Sequence, residues 1–143
     1  MIRILVDTNI LVSGSLWGGL PTKILFLAQE GEIELITSEP LIAEYRRVIS
    51  REKFAERLTA VGETADSLIV NYQSVATVVQ LAEIEPVILN DPPDDAVLAC
   101  ALGGKADIIV SGNRHLLNLS SYQSIPIMTA SGFLELMATS DLD

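Results

Sequence analysis

The chain has 143 residues, enough for one domain on ordinary length grounds. Hydrophobic residues make up 49% and charged residues 20%, which excludes a disordered polymer and supports an ordinary core. A single Cys excludes an internal disulfide and a cysteine-built zinc site, a single His excludes a poly-histidine metal centre, and a net charge of −10 argues against long-range attraction to nucleic acid.

The first residues, Arg3-Ile4-Leu5-Val6, form a short continuous apolar run ended by Asp7, the pattern of a central strand in a parallel sheet. Pro21 to Glu30 carries Ile24, Leu25, Leu27 and Ala28 at helical spacing, with Gly31 as the stop. Ile33 to Ile36 reads as the next strand. Ser38 and Pro40 then open a helix through Ile49, as N-cap and early proline. Helices are expected over Arg51–Leu58 and Glu63–Val79, the second ending in a β-branched run. Pro86 to Leu89 resembles a strand, and Asn90-Asp91-Pro92-Pro93-Asp94 is a turn that starts a helix over Asp94–Leu102, stopped by Gly103-Gly104. Asp107 to Val110 is a further strand. Ile125 to Met128 is a last one, which Pro126 assigns to a sheet edge, and a helix over Ala130–Ala138 follows. Strands alternating with helices specify an α/β fold with a largely parallel sheet, in a single domain spanning residues 1–143.

No stretch approaches the roughly 18–20 apolar residues of a membrane helix. The N-terminal run turns acidic at Asp7, too early for a secretory signal, so the expectation is a soluble cytoplasmic protein with no membrane partner. The mean hydropathy of +0.40 is high for such a protein and points to strands buried on both faces or to a covered oligomer surface.

In open α/β sheets, ligands sit beyond the carboxyl ends of the strands. Asp7 ends the first strand, Ser111-Gly112-Asn113 follows the strand Ile108–Val110, and Asp94 and Asp95 begin the helix that feeds it. If those two strands are neighbours, three polar clusters meet on one rim. Glu44 is the fourth element. It shares the apolar stripe of Leu41, Tyr45 and Val48, and a carboxylate on that face is costly unless it is paired or bound to a cation. Each residue also has a plainer role: Asp7, Asp94, Asp95 and Asn113 can cap helices, and Glu44 can stand at a rim or in an ion pair. Capping and a shared site are compatible. Clustered carboxylates repel one another until a hard cation joins them, and an oxygen-only donor set favours Mg²⁺ or Mn²⁺ over Zn²⁺. The chemistry that follows is metal-dependent phosphodiester hydrolysis.

Asp7-Thr8-Asn9 after an apolar strand, a mid-helix Glu44, Asp94-Asp95-Ala96-Val97-Leu98-Ala99, and Ile108-Ile109-Val110-Ser111-Gly112-Asn113 followed by Leu116-Leu117 resemble the PIN-domain nucleases. The resemblance spans nearly the whole chain and is greatest to the bacterial toxins of toxin–antitoxin pairs, the VapC-like group. It implies an α/β/α sandwich with a mostly parallel five-stranded sheet and a Mg²⁺- or Mn²⁺-dependent ribonuclease acting on single-stranded or structured RNA. By this resemblance Asp7, Glu44 and Asp95 match the three acidic positions, with Asp94 as the substitute for Asp95. Asn113 falls where many members carry a fourth Asp, a departure that implies weaker metal binding, while its carbonyl can still ligate or hold a water. Thr8, Asn9 and Ser111 would support the ligands.

Five of the nine basic residues lie between positions 46 and 57. Arg46, Arg47 and Arg51 are the candidates for RNA contact, joined by Arg114; the competing reading is a solvated helix face balanced by Glu52 and Glu56. From Leu58 onward two basic residues face eleven acids, so a homodimer or an antitoxin partner would help assemble a basic groove. Cys100 reads as an inert core thiol, His115 lacks the company of a hydrolytic triad, and Trp17 reads as a loop anchor or subunit contact before a base-stacking group. The alternative function is a catalytically weak module that binds RNA or a protein. A phosphatase is disfavoured because Asp7-Thr8-Asn9 lacks a second Asp two residues on.

Overall fold

The computed structural model describes residues 1–85 and 92–139. In chain order the elements are β1 (Arg3–Val6), α1 (Thr8–Leu16), α2 (Leu20–Gln29), β2 (Glu34–Thr37), α3 (Glu39–Ile49), a 3₁₀ turn (Glu52–Phe54), α4 (Ala55–Ala60), α5 (Ala65–Val75), β3 (Ala76–Val78), α6 (Pro92–Gly103), β4 (Ile108–Val110), α7 (Arg114–Leu119), β5 (Ser121–Tyr122), β6 (Ile125–Met128) and α8 (Ala130–Thr139). The strand expected over Pro86–Leu89 lies outside the described residues.

The strand order is β3-β2-β1-β4-β6-β5. Five strands run parallel, and the two-residue β5 adds to β6 antiparallel, so the sheet has six strands where five were expected. β6 is therefore not the edge that Pro126 suggested. The β5 residues Ser121 and Tyr122 pair with Pro126 and Ile125, and this short ribbon covers that side.

Side chains alternate across the sheet with the strand period of two. Ile4 and Val6 of β1, with Ile108 and Val110 of β4, join a core under α1, α2, α3, α5 and α8. Leu5 and Ile109, between them in sequence, join a second core against α6, where Val97, Leu98, Cys100 and Ala101 are buried. Burial on both faces is the origin of the high hydropathy. It also makes the parallel strands read as unbroken apolar runs.

Two segments differ from the sequence expectation. The chain leaves the helix partway through its β-branched end: α5 stops at Val75, and Ala76–Val78 pairs with Leu35, Ile36 and Thr37 of β2. Branched side chains restrict χ1 in a helix and pack well on a pleated surface, so a nearby sheet edge captures them. Ser38 stands at the N-cap of α3, where its carbonyl accepts the Ile42 N–H but its side chain makes no cap hydrogen bond. It is buried beside Cys100, whose thiol burial pushes up to about 11, which leaves it protonated and unreactive near neutral pH. Among the described residues, no single helix is long and apolar enough to cross a membrane.

Candidate functional site

β1 and β4 are direct neighbours, with Val6 paired to Val110, so the residues that follow them share one rim. Asp7 is only 6% exposed there. Its Oδ1 accepts the Ile10 backbone N–H at 2.9 Å and so caps α1. Its Oδ2 accepts the Ser111 hydroxyl and the Gly112 N–H, the latter at 3.3 Å. Ser111 Oγ accepts in turn from the Asn113 N–H at 2.9 Å, which ties the β4 end to the β1 end. Burial raises the Asp7 pKa above the ordinary 3.8, and the hydrogen bonds from Ser111 and the nearby backbone only partly oppose it. A buried carboxylate whose charge is disfavoured is a group that a cation would relieve.

α6 brings in the second buried carboxylate. Asp94 is 6% exposed, and Asn113 Nδ2 donates to its Oδ1 at 3.0 Å and its Oδ2 at 3.2 Å. Asn113 Oδ1 accepts the His115 backbone N–H at 2.8 Å and caps α7. The His115 ring comes near as well, with Nδ1 3.5 Å from Asp94 Oδ2. Turning the Asn113 carbonyl toward a ligand would sacrifice the cap, about 1 kcal/mol, and hydrogen bonds to a carboxylate worth roughly 1.5–3 kcal/mol. Asn113 thus serves as the α7 cap and as a donor to Asp94, with one lone pair of its carbonyl oxygen taken by the His115 N–H.

Asp7, Thr8, Asn9, Glu44, Asp94, Val97 and Asn113 line one cleft of about 50 Å³. Glu44 is half-buried on α3 and faces this cleft, as its place in the apolar stripe required. Asp95, the preferred third acid from sequence, does not line it; Asp94 does. Successive residues on a helix point about 100° apart, which turns Asp95 away from the direction of Asp94, and Val97, near one turn on from Asp94, lines the same wall. Thr8 is buried and Asn9 exposed. The approach of His115 to Asp94 has no local signal in the chain, because it depends on α7 starting beside α6.

The donor set is all oxygen, and its buried members suit a hard divalent cation. The carboxylates do not form a closed cage, since among the described residues no three His, Cys, Asp or Glu side chains are close enough together to hold a metal ion. Asp7 and Asp94 are held in place by protein donors, whereas Glu44 has three side-chain torsions with which to close on an ion.

The basic residues divide. Arg46 pairs with Asp66 at the start of α5 and stands about 200° around α3 from Glu44, on the opposite flank. Arg47 lies on the exposed side one turn from Glu44, Arg51 follows the helix end, and Arg114 is exposed at the first turn of α7. Arg57 is used internally: its Nε donates to the Leu16 carbonyl at 2.6 Å, and its guanidinium lies 5.8 Å from the Trp17 ring centre. Trp17 also packs edge-on against Phe54 at 5.7 Å, so it anchors the end of α1 to the 3₁₀ turn. A larger cavity of about 330 Å³ between α1, α2, α3 and α5 has no charged side chain in its described lining.

A family model for the PIN domain matches residues 3–115, well over half of the chain and the stretch that contains Asp7, Glu44, Asp94 and Asn113. No curated protein and no solved structure matches. PIN domains are generally nucleases and usually use divalent metal ions. The parallel sheet, the acidic rim at its carboxyl edge and this match agree: the chain belongs to the PIN-domain family.

Proposed function

We propose that this protein is a Mg²⁺- or Mn²⁺-dependent endoribonuclease that hydrolyses RNA phosphodiester bonds in the cleft between β1, α3 and α6. The observation that carries this reading is the buried Asp7, whose charge is disfavoured by its surroundings and which shares a cleft with Glu44 and Asp94. Asp7, Asp94 and Glu44 would hold the ion. When bound, it supplies Lewis acidity toward the phosphate and activates water for in-line attack. Ser111 and the Ile10 and Gly112 N–H groups keep Asp7 aimed at the cleft. Asn113 keeps Asp94 aimed at it from the other side. Arg47, Arg51 and Arg114 would contact RNA phosphates along the rim, and Arg46, held by Asp66, contributes less. The resemblance to VapC-like proteins supports a toxin role with an antitoxin partner, cytoplasmic location and a homodimer that completes the basic groove.

The test is cleavage of a labelled single-stranded RNA with Mg²⁺ or Mn²⁺, with EDTA as control, in the parent and in Asp7→Asn. Metal-dependent cleavage lost in Asp7→Asn is the expected result. The open carboxylate arrangement among the described residues favours one second reading, a catalytically weak module that binds RNA or a protein. RNA binding without cleavage under any of these metal conditions would select that reading.

A further inference from the structure

We infer that Trp17 and Phe54 form a base-stacking platform for single-stranded RNA about 15 Å from the cleft, and that Arg47, Arg51 and Lys53 guide the strand between the two. The inference rests on the ribonuclease reading above and extends it to how the substrate is held. α1 fixes the distance. Asp7 caps its start at the cleft, and Trp17 stands at its C-cap ten residues on, with each helical residue adding about 1.5 Å. α3 runs beside α1, where the Ser15 and Tyr45 hydroxyls share a hydrogen bond of 2.6 Å. Glu44 faces the cleft from the middle of α3. Arg47 follows one turn on, Arg51 lies just past the helix end, and Lys53 and Phe54 belong to the 3₁₀ turn against which Trp17 packs. Both helices therefore lead from the acidic rim to the same aromatic pair.

Trp17 remains 54% exposed after its contacts with Phe54 and Arg57. Its ring is nevertheless held: Phe54 meets it edge-on, and the Arg57 guanidinium beside it is tied by Nε to the Leu16 carbonyl. A ring fixed in advance stacks a base with little further loss of side-chain freedom. Lys53 Nζ lies 5.1 Å from the Phe54 ring centre, so each of the two rings carries a cation. The surrounding charge is of the right sign. Residues 46–57 hold five basic and two acidic side chains, in a chain whose net charge is −10. Among the described residues Arg47, Arg51 and Lys53 stand in no ion pair, which leaves their charge open to phosphates. A purely apolar patch would suit a protein partner, whereas rings flanked by open cations suit a polyanion that carries flat bases. Those bases must be unpaired, because stacking on a side chain requires a base splayed from its neighbours. At the 3.4 Å rise of a stacked strand, the distance from platform to cleft takes about four or five nucleotides.

The experiment titrates the full chain, in EDTA and low salt so that no metal-dependent cleavage occurs, with an eight-nucleotide oligouridylate and, separately, with inorganic polyphosphate as a base-free polyanion. Trp17 is the only Trp in the chain, so its emission reports on the platform alone. The oligouridylate should quench it saturably, and polyphosphate should leave it unchanged. Anisotropy of a labelled oligouridylate gives the affinities. Trp17→Ala should bind at least about fivefold more weakly, the lower end for one stacked base, and Trp17→Phe should keep most of the affinity. Lys53→Ala should lower the slope of log affinity against log salt by about 0.7, one phosphate contact on a single strand. RNA binding that leaves the emission unchanged, equal quenching by polyphosphate, full affinity in Trp17→Ala, or an unchanged salt slope in Lys53→Ala would each overturn the inference. If Trp17→Ala fails to fold by circular dichroism, the emission of the parent and the affinity of Trp17→Phe decide. Metal-dependent cleavage with a silent Trp17 removes this inference alone. Absence of both RNA binding and cleavage removes the ribonuclease reading and this inference together.

Discussion

Replacing Asp7 by Asn should leave the metal-free protein at least as stable as the parent near pH 7.5, although Asp7 accepts three hydrogen bonds. Asn caps a helix about as well as Asp, so the Ile10 N–H keeps its acceptor. The amide can donate to Ser111 Oγ, whose second lone pair is open beside the Asn113 N–H bond. The losses are the long Gly112 contact, about 0.5–1 kcal/mol, and the acceptor of the Ser111 hydroxyl proton, whose oxygen becomes the acceptor instead. Against this stands the charge. Burial raises the Asp7 pKa in the folded state above 3.8, so the native protein holds the proton more tightly than the unfolded chain does. The stabilisation from that proton is complete below the unfolded pKa and disappears as pH rises through the folded one. Above the folded pKa the charge on Asp7 is therefore a net cost, and Asn removes it. Asp7→Ala also removes the charge but deletes the cap on the Ile10 N–H and has no amide to donate to Ser111 Oγ. It should fall about 2 kcal/mol below Asp7→Asn, or about 4–8 °C in melting temperature for a chain of this size. The assay is thermal unfolding in EDTA from pH 4.5 to 8. The advantage of Asp7→Asn over the parent should shrink on acidification, while the gap between the two variants stays constant. An Asp7→Asn protein that melts as low as Asp7→Ala at pH 7.5, or a parent-to-Asn gap that ignores pH, would refute the reasoning.

Asp94→Asn should abolish metal-dependent RNA cleavage, whereas Asp95→Asn should retain most of it, because only Asp94 lines the cleft; single-turnover rates on one substrate decide. Arg47→Ala and Arg51→Ala should each weaken RNA binding across sequences and reduce the slope of log affinity against log salt by about one contact, while Arg46→Ala changes little, as fluorescence anisotropy at several salt concentrations would read. Gly103→Ala should destabilise the fold by roughly 2 kcal/mol or more, measured by urea unfolding, since a Cβ there would stand 2.1 Å from the Gln80 carbonyl oxygen and 2.8 Å from the Ala82 nitrogen.

The parts legible in the sequence were those with a strong local period. The apolar runs at Ile4, Leu35 and Ile109 are buried strands, and the stripe on α3 is enough to turn Glu44 toward the interior side. α1 was not legible as a helix. Nearly every side of it is buried, so Thr8 to Leu16 shows no apolar stripe, and its one strong signal was Asp7 as cap. β3 was hidden because its pairing with β2 joins residues about forty positions apart, and nothing within the run Leu68 to Val79 marks where helix yields to strand. The choice between Asp94 and Asp95 is a rotation of α6 about its axis. That rotation is set by how Val97 and Leu98 pack, and two adjacent acids look alike until it is known.

The sheet is blunt at both ends. On one side β3 offers three residues, and on the other β5 offers two before a turn in which Gln123 and Ser124 both adopt positive φ. Among the described residues neither end presents a ladder long enough to template a further strand. Self-association by strand addition is thereby discouraged. The helical flanks differ from these ends in that Phe26 on α2 and Val70 on α5 stand in solvent there.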